Sequence, residues 1–309
     1  ADVTPSGTTQ VGLGLCPQVQ ALGEFGAYLA QYDSRMPYIS GIKSNRTATP
    51  TTPFIPRDPG GLNPQYFLSF PEAIQVLGLT FDKKLAFGNV SAELTYRPNQ
   101  PYQYNTVDML SALTSPVAPT PLRAQAAATA AGAVFNGYER HKAVQLNISA
   151  AHGLPGVLGA ANGMAGFEFA YKAVPGLPDP AVMRFRRPDV YGQAPVGNAA
   201  CPATASAKTC ASDGYVSSSA MAIRLRAGLR YPGLIAGVDF TPSLTYGADL
   251  HGWSEDGAIN EGRQFAILSL KAEYLKAWVA ELAWNPTWGG AYNNLKDRSN
   301  ASVSLGYRF

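Results

Sequence analysis

Charged residues alternate with apolar ones along several stretches of this chain, and they are the side chains best placed to do chemistry. In "MAIRLRAGLRY", Arg224, Arg226 and Arg230 alternate with Met221, Ile223, Leu225 and Leu229. A period of two puts the charges on one face of a strand and the apolar residues on the other. The same parity collects Glu93, Arg97, Glu168, Asp239, Lys271 and Glu273, with Glu24, Glu281 and Arg308 at the margins. A face charged in this way can be a selectivity filter for a passing solute. It can equally be a set of cross-strand ion pairs acting as struts. The signs interleave as struts require: Glu168 and Lys172 fall beside Arg224 and Arg226, and Arg230 falls near Asp239 across a tight turn. The three arginines of one strand are the part that fits a pathway lining.

Other chemistries find little support. His141, His152 and His251 have no HExxH, HxH or metal-spaced cysteine beside them, so no metal and no cofactor is assigned. His141 and Ser149 share a strand but stand too far apart to work as a base and nucleophile. No catalytic residue is assigned and the chain is not expected to be an enzyme. "WSEDGAINEGR" gathers Glu255, Asp256 and Glu261 without the spacing of an EF-hand. It reads as an acidic loop that is solvated or faces basic groups nearby, with a calcium site as the alternative. Cys201 and Cys210 in "CPATASAKTC" read as a disulfide formed in an oxidising compartment, with free loop thiols as the alternative. Cys16 has no partner in the sequence pattern.

The elements that must carry these residues are strands. We expect about ten, near 22–32, 72–82, 86–97, 140–152, 161–172, 218–230, 235–248, 262–274, 277–287 and 300–309. The links between them alternate strictly. Short ones are "DKKL", "GLPGVLGA", "YPGLI" and "YLKAW"; long ones cover 33–71, 98–139, 173–217, 249–261 and 288–299. Composition agrees, with 15% charged residues, 31 Gly, 24 Pro, 16 Tyr and 13 Phe. No run approaches the roughly 18 apolar residues of a membrane helix, and the net charge of +3 is too mild for a nucleic-acid partner. The expected fold is all-β: a transmembrane antiparallel up-and-down β-barrel over 22–309, after a lead-in segment and turn over 1–21. Its long loops would be extracellular and its turns periplasmic, in a bacterial outer membrane.

The end of the chain fits that reading. In "SVSLGYRF", Val303, Leu305, Tyr307 and Phe309 would face outer-membrane lipid, while Ser302, Ser304, Gly306 and Arg308 face the lumen. Leu305, Tyr307 and Phe309 resemble the terminal signature of outer-membrane barrels, a signal similar to that read by the barrel-assembly machinery. Trp278 and Trp284 share the lipid face and suit the two aromatic girdles. In the 98–139 link, "TVDMLSALTSP" and "TPLRAQAAATAAGAVF" predict two short helices, the second capped by Thr120 before Pro121. Their apolar Met109, Leu110, Leu113, Leu122, Val134 and Phe135 need a partner, such as the barrel mouth.

Several phrases carry a family resemblance. "GAYLAQYDSRMPYISG", "YFLSFPEAIQVLGLTF", "AELTYRPNQPYQYN", "DLHGWSEDGAINEGRQF" and "GGAYNNLKDRSNASVSLGYRF" resemble the proteobacterial outer-membrane family called domain of unknown function 1302. The likeness runs from about 22 to 309 and matches what looks like the C-terminal half of such proteins. It implies an outer-membrane location. It also implies a role in passing hydrophobic small molecules or lipids, beside an inner-membrane resistance-nodulation-division type transporter. The other class of function is a scaffold barrel with a filled lumen whose extracellular loops bind a partner.

Overall fold

The computed structural model describes residues 7, 10–19, 22–45, 57–58, 60–86, 88–197 and 199–309. The chain opens with β1 (Val11–Leu15) and β2 (Gln18–Val19), both paired with β3 (Gly23–Tyr32). The next two strands, β4 (Tyr38–Ile42) and β5 (Gln65–Ser69), belong to a separate small sheet. A hairpin of β6 (Ile74–Leu85) and β7 (Gly88–Gln103) leads into helices α1 (Thr106–Thr114) and α2 (Arg123–Ala128) and the short β8 (Val134–Phe135). Then come β9 (Tyr138–Gly153), β10 (Asn162–Ala173) and the helical turn α3 (Ala207–Cys210). The rest is β11 (Ser219–Ile235), β12 (Val238–His251), β13 (Arg263–Tyr274), β14 (Trp278–Asn285), β15 (Thr287–Gly289) and β16 (Asn300–Tyr307).

Antiparallel pairing runs in the order β1-β3-β6-β7-β9-β10-β11-β12-β13-β14-β16, eleven strands of a 13-stranded sheet. All ten expected strands are present. The strand count nevertheless exceeds ten, because β1 adds a further strand inside the 1–21 lead-in, and β2 and β15 add short ones. Of that lead-in, residues 1–6, 8, 9, 20 and 21 lie outside the described residues, as do 46–56 and 59 of the 33–71 link. Neighbours alternate in direction, so β1 and β16, at the two ends of the path, run the same way. Each is paired on one side only among the described residues.

Two short links are tighter than the sequence suggests. "YPGLI" is strand, and the turn is Ala236–Gly237, with φ of 50° and 78°. That left-handed pair matches the twist of the flanking strands, as primed hairpin turns do. The same geometry recurs at Leu275 and Lys276, with φ of 52° and 57°.

Register sorts the two faces. Phe81 lies opposite Phe25 and Ala92, Leu94 opposite Leu79 and Leu146, and Phe169 opposite Ile148 and Ile223. Leu244 lies opposite Leu268, and Leu282 opposite Leu270 and Val303. Among the described residues nothing covers this apolar face: Leu79 is 58% exposed, Leu244 43%, Leu282 54% and Val303 80%. No helix among the described residues is long and apolar enough to cross a membrane.

The buried apolar core lies instead among the long links. Tyr102, Tyr104, Met109, Leu113, Leu122 and Phe135 pack there with Val174, Phe185 and Val216, while Leu110 and Val134 stay exposed. Three of the expected loops therefore fold as a lobe with its own sheet, in the order β5-β4-β8. Within it α1 starts on Asn105, whose side chain accepts from Asp108 N at 3.0 Å. The second helix begins later than expected, with Leu122 at its cap. Thr120 bridges the helices, accepting from Leu122 N at 3.3 Å and donating to the Asp108 carbonyl at 3.0 Å.

Candidate functional site: a hollow under the long links

The polar face of the sheet carries the charges that the alternation selects. Glu168 meets Arg226 at 3.3 Å, and Arg230 meets Asp239 at 2.8 Å. Glu273 holds both Lys271 at 3.3 Å and Arg308 at 3.2 Å. Glu93 accepts from the Tyr28 hydroxyl. Tyr28 lies across Gly78, where a Cβ would strike the ring, so the glycine is what lets the aromatic reach Glu93. These residues are spread along the face and do not converge on one point.

Arg224 behaves differently. Its partner is Asp249 at 2.7 Å, which also holds Arg263 at 2.7 Å and accepts from Asn260 N at 2.9 Å. The Asp249 side chain is fully buried, and Arg224 stacks 4.9 Å from the Phe265 ring, which lies over Gly247. Asp249 shares the parity of Asp239. Extending the alternation of β12 past residue 248 would have selected it, but the sequence boundary left it in the 249–261 loop.

Beside the lobe, the polar face opens into a hollow of about 1580 Å³. The strands contribute Arg97, Gln145 and Lys172, and the links contribute Arg35, Arg186, Lys296 and Arg298. Ile39, Leu68, Ile74 and Tyr102 supply apolar lining. Residues 32–39, next to β3, and 293, 294 and 296–298, just before β16, line the same hollow, although they belong near opposite ends of the path.

The acidic loop faces basic groups. Lys172 Nζ lies 2.6 Å from Asp256 and 3.6 Å from Glu255, and Arg186 donates to the Glu255 carbonyl at 3.0 Å. Burial works to raise the Asp256 pKa, but the Lys172 charge and donors from Lys172, Ser254 and Ala258 hold it below the usual carboxylate range. Glu261 accepts from Gly252 N at 2.7 Å and meets His251 at 3.1 Å. The Tyr38 hydroxyl, which donates to the Pro101 carbonyl at 3.1 Å, is pushed up to about 12, chiefly by burial and then by the Glu255 charge. No three His, Cys, Asp or Glu side chains gather as a metal site among the described residues.

The roof of the hollow is stiffened by Arg187, which alternation could not find because it sits in a link. Its guanidinium donates to the carbonyls of Ala211, Asp213, Tyr191, Gly192 and Thr209 at 3.0 to 3.1 Å, and lies 4.2 Å from the Tyr215 ring. The Cys201–Cys210 disulfide closes the same link, while Cys16 is free and exposed.

The family described as "Protein of unknown function (DUF1302)" covers residues 1–309, the whole chain. No curated protein matches it.

Proposed function

The chain belongs to the DUF1302 family, and we propose that it forms the wall of an outer-membrane β-barrel that assists the passage of hydrophobic small molecules or lipids. The uncovered apolar face carries this reading. It continues from Leu79 to Val303 across the sheet, with charged and polar residues behind it. In water such a face would be far larger than the few hundred Å² that a soluble monomer exposes. In lipid it is the outer surface of a barrel. The hollow, lined from both ends of the strand path, supports a wall that curves around a lumen.

Antiparallel closure needs an even number of strands, and the path has eleven. The seam between β1 and β16 therefore closes by parallel pairing or by an odd number of further strands. In this reading the short turns are periplasmic, the folded lobe is extracellular, and the C-terminal aromatics serve the barrel-assembly machinery. An inner-membrane resistance-nodulation-division type transporter would be the energy source.

The second reading, a scaffold barrel with a filled lumen, draws on the inner-face ion pairs, which act as struts. Conductance separates the two. The protein folded into a planar bilayer is expected to pass a stepwise ion current, and deleting it should lower uptake or export of apolar compounds by whole cells. A sealed barrel with unchanged uptake would leave the scaffold.

A further inference from the structure

We propose that the hollow beneath the lobe binds an amphipathic organic anion, a carboxylate on an apolar body; the inference rests on the transport reading and names its substrate class. The argument is an imbalance of partners. The lining carboxylates are mostly engaged. Glu255 and Asp256 face Lys172, Asp189 accepts from the Thr106 hydroxyl, and Asp33 accepts from Ala73 N at 2.9 Å.

The lining cations are not engaged in the same way. Among the described residues, no carboxylate lies within ion-pair distance of Arg35, Arg97, Arg186, Lys296 or Arg298. Arg97 donates to the Thr95 hydroxyl at 3.2 Å, and Arg186 to a carbonyl. Asp297 is the opposing lining carboxylate, and it sits in sequence between Lys296 and Arg298.

A half-enclosed space with surplus guanidinium groups selects an acceptor that can take two parallel N–H donors, which a carboxylate does. The apolar body has its own surface. Ile39, Leu68, Ile74 and the buried Tyr102 line the same space. The hollow is larger than the roughly 300–1,000 Å³ of ordinary ligand sites, so a chain-like molecule fits with water around its head group.

The test uses the full chain in nanodiscs of zwitterionic lipid, with dansyl-undecanoic acid and its methyl ester as probes. Fluorescence titration is expected to show the acid binding on the order of tenfold more tightly than the ester, with the preference shrinking in high salt. Arg97→Gln with Arg186→Gln should abolish the preference and leave ester binding unchanged. Arg186 is an exposed link residue, so Arg186→Gln alone should show a partial loss even where the double variant folds poorly. Equal affinity for acid and ester in the native protein, or a preference that survives the double variant, overturns the inference. Uptake without acid preference would sink the substrate class alone. Acid preference in a chain that passes no current would sink the transport reading instead.

Discussion

Asp108 shows how a single side chain ties the lobe together and makes it sensitive to pH. It stands in the first turn of α1, buried, with Oδ1 held by Arg184 at 2.7 Å and Oδ2 without a partner among the described residues. Arg184 also donates to the Ala194 carbonyl at 2.6 Å, so the pair joins the helix to the link that bears the disulfide. Burial pushes the Asp108 carboxyl up to about 6, and Arg184 opposes that rise without cancelling it. The folded lobe therefore holds a proton that the unfolded chain has released between about pH 4 and pH 6. The stability gained from that proton is complete below about pH 4 and is lost as pH rises through about 6. Asp108→Asn places a donor where Oδ2 has no partner and removes the titration. Hydrogen exchange at the Met109 amide, which donates to Asn105 at 3.0 Å, should show the native lobe losing protection relative to the variant as pH rises from 4 to 7. Parallel profiles for the two proteins would place the titration elsewhere.

At the scale of elements, the molecule has two cores of different kinds. Strands of the large sheet hold each other through backbone ladders and cross-strand pairs. The lobe holds itself through ordinary apolar burial around Leu122, which is 1% exposed. Leu122→Ala leaves a cavity there and should cost the lobe about 2–5 kcal/mol. The expected readout is separation of two events. Proteolysis within 98–139 and 173–217 should become rapid, while the strands of the large sheet stay resistant to the same protease. Simultaneous loss of both would mean that lobe and sheet fold as one unit.

The same division explains what the sequence disclosed. Hairpins such as β11–β12 were legible because each strand alternates over a dozen or more residues. Its turn was misplaced because Pro232 and Gly233 outrank Ala236–Gly237 as local signals, although the strand continues through them. The small sheet had no such signature. "YISGI" and "QYFLS" are too short to show a period, and their pairing spans a link partly outside the described residues. Charges on the polar face were legible through parity. Arg186 and Arg187 were not, since a link has no parity and their partners are distant carbonyls.

For the whole molecule, the decisive question is whether the apolar face meets lipid. Trp278 and Trp284 lie on that face of β14, 47% and 54% exposed. Trp278 packs 4.9 Å from Tyr307, which in turn lies 5.5 Å from Phe309, so it belongs to the aromatic cluster at the short-turn end. Six residues of strand rise about 20 Å, and a tilt near 40° reduces that to roughly 15 Å along the membrane normal. Against an apolar band of about 25 Å, Trp278 then sits near one interface and Trp284 past the middle, short of the second girdle that its place in the sequence suggests. Versions that retain one tryptophan, with the others replaced by Phe, should both be quenched by brominated phospholipids. Trp278 should respond best to bromine near the head group and Trp284 to bromine deep in the chain. A difference in depth would establish that this face meets lipid and that the strand is inclined through the bilayer. If neither tryptophan is quenched, the face is covered by protein, and the barrel reading fails with it.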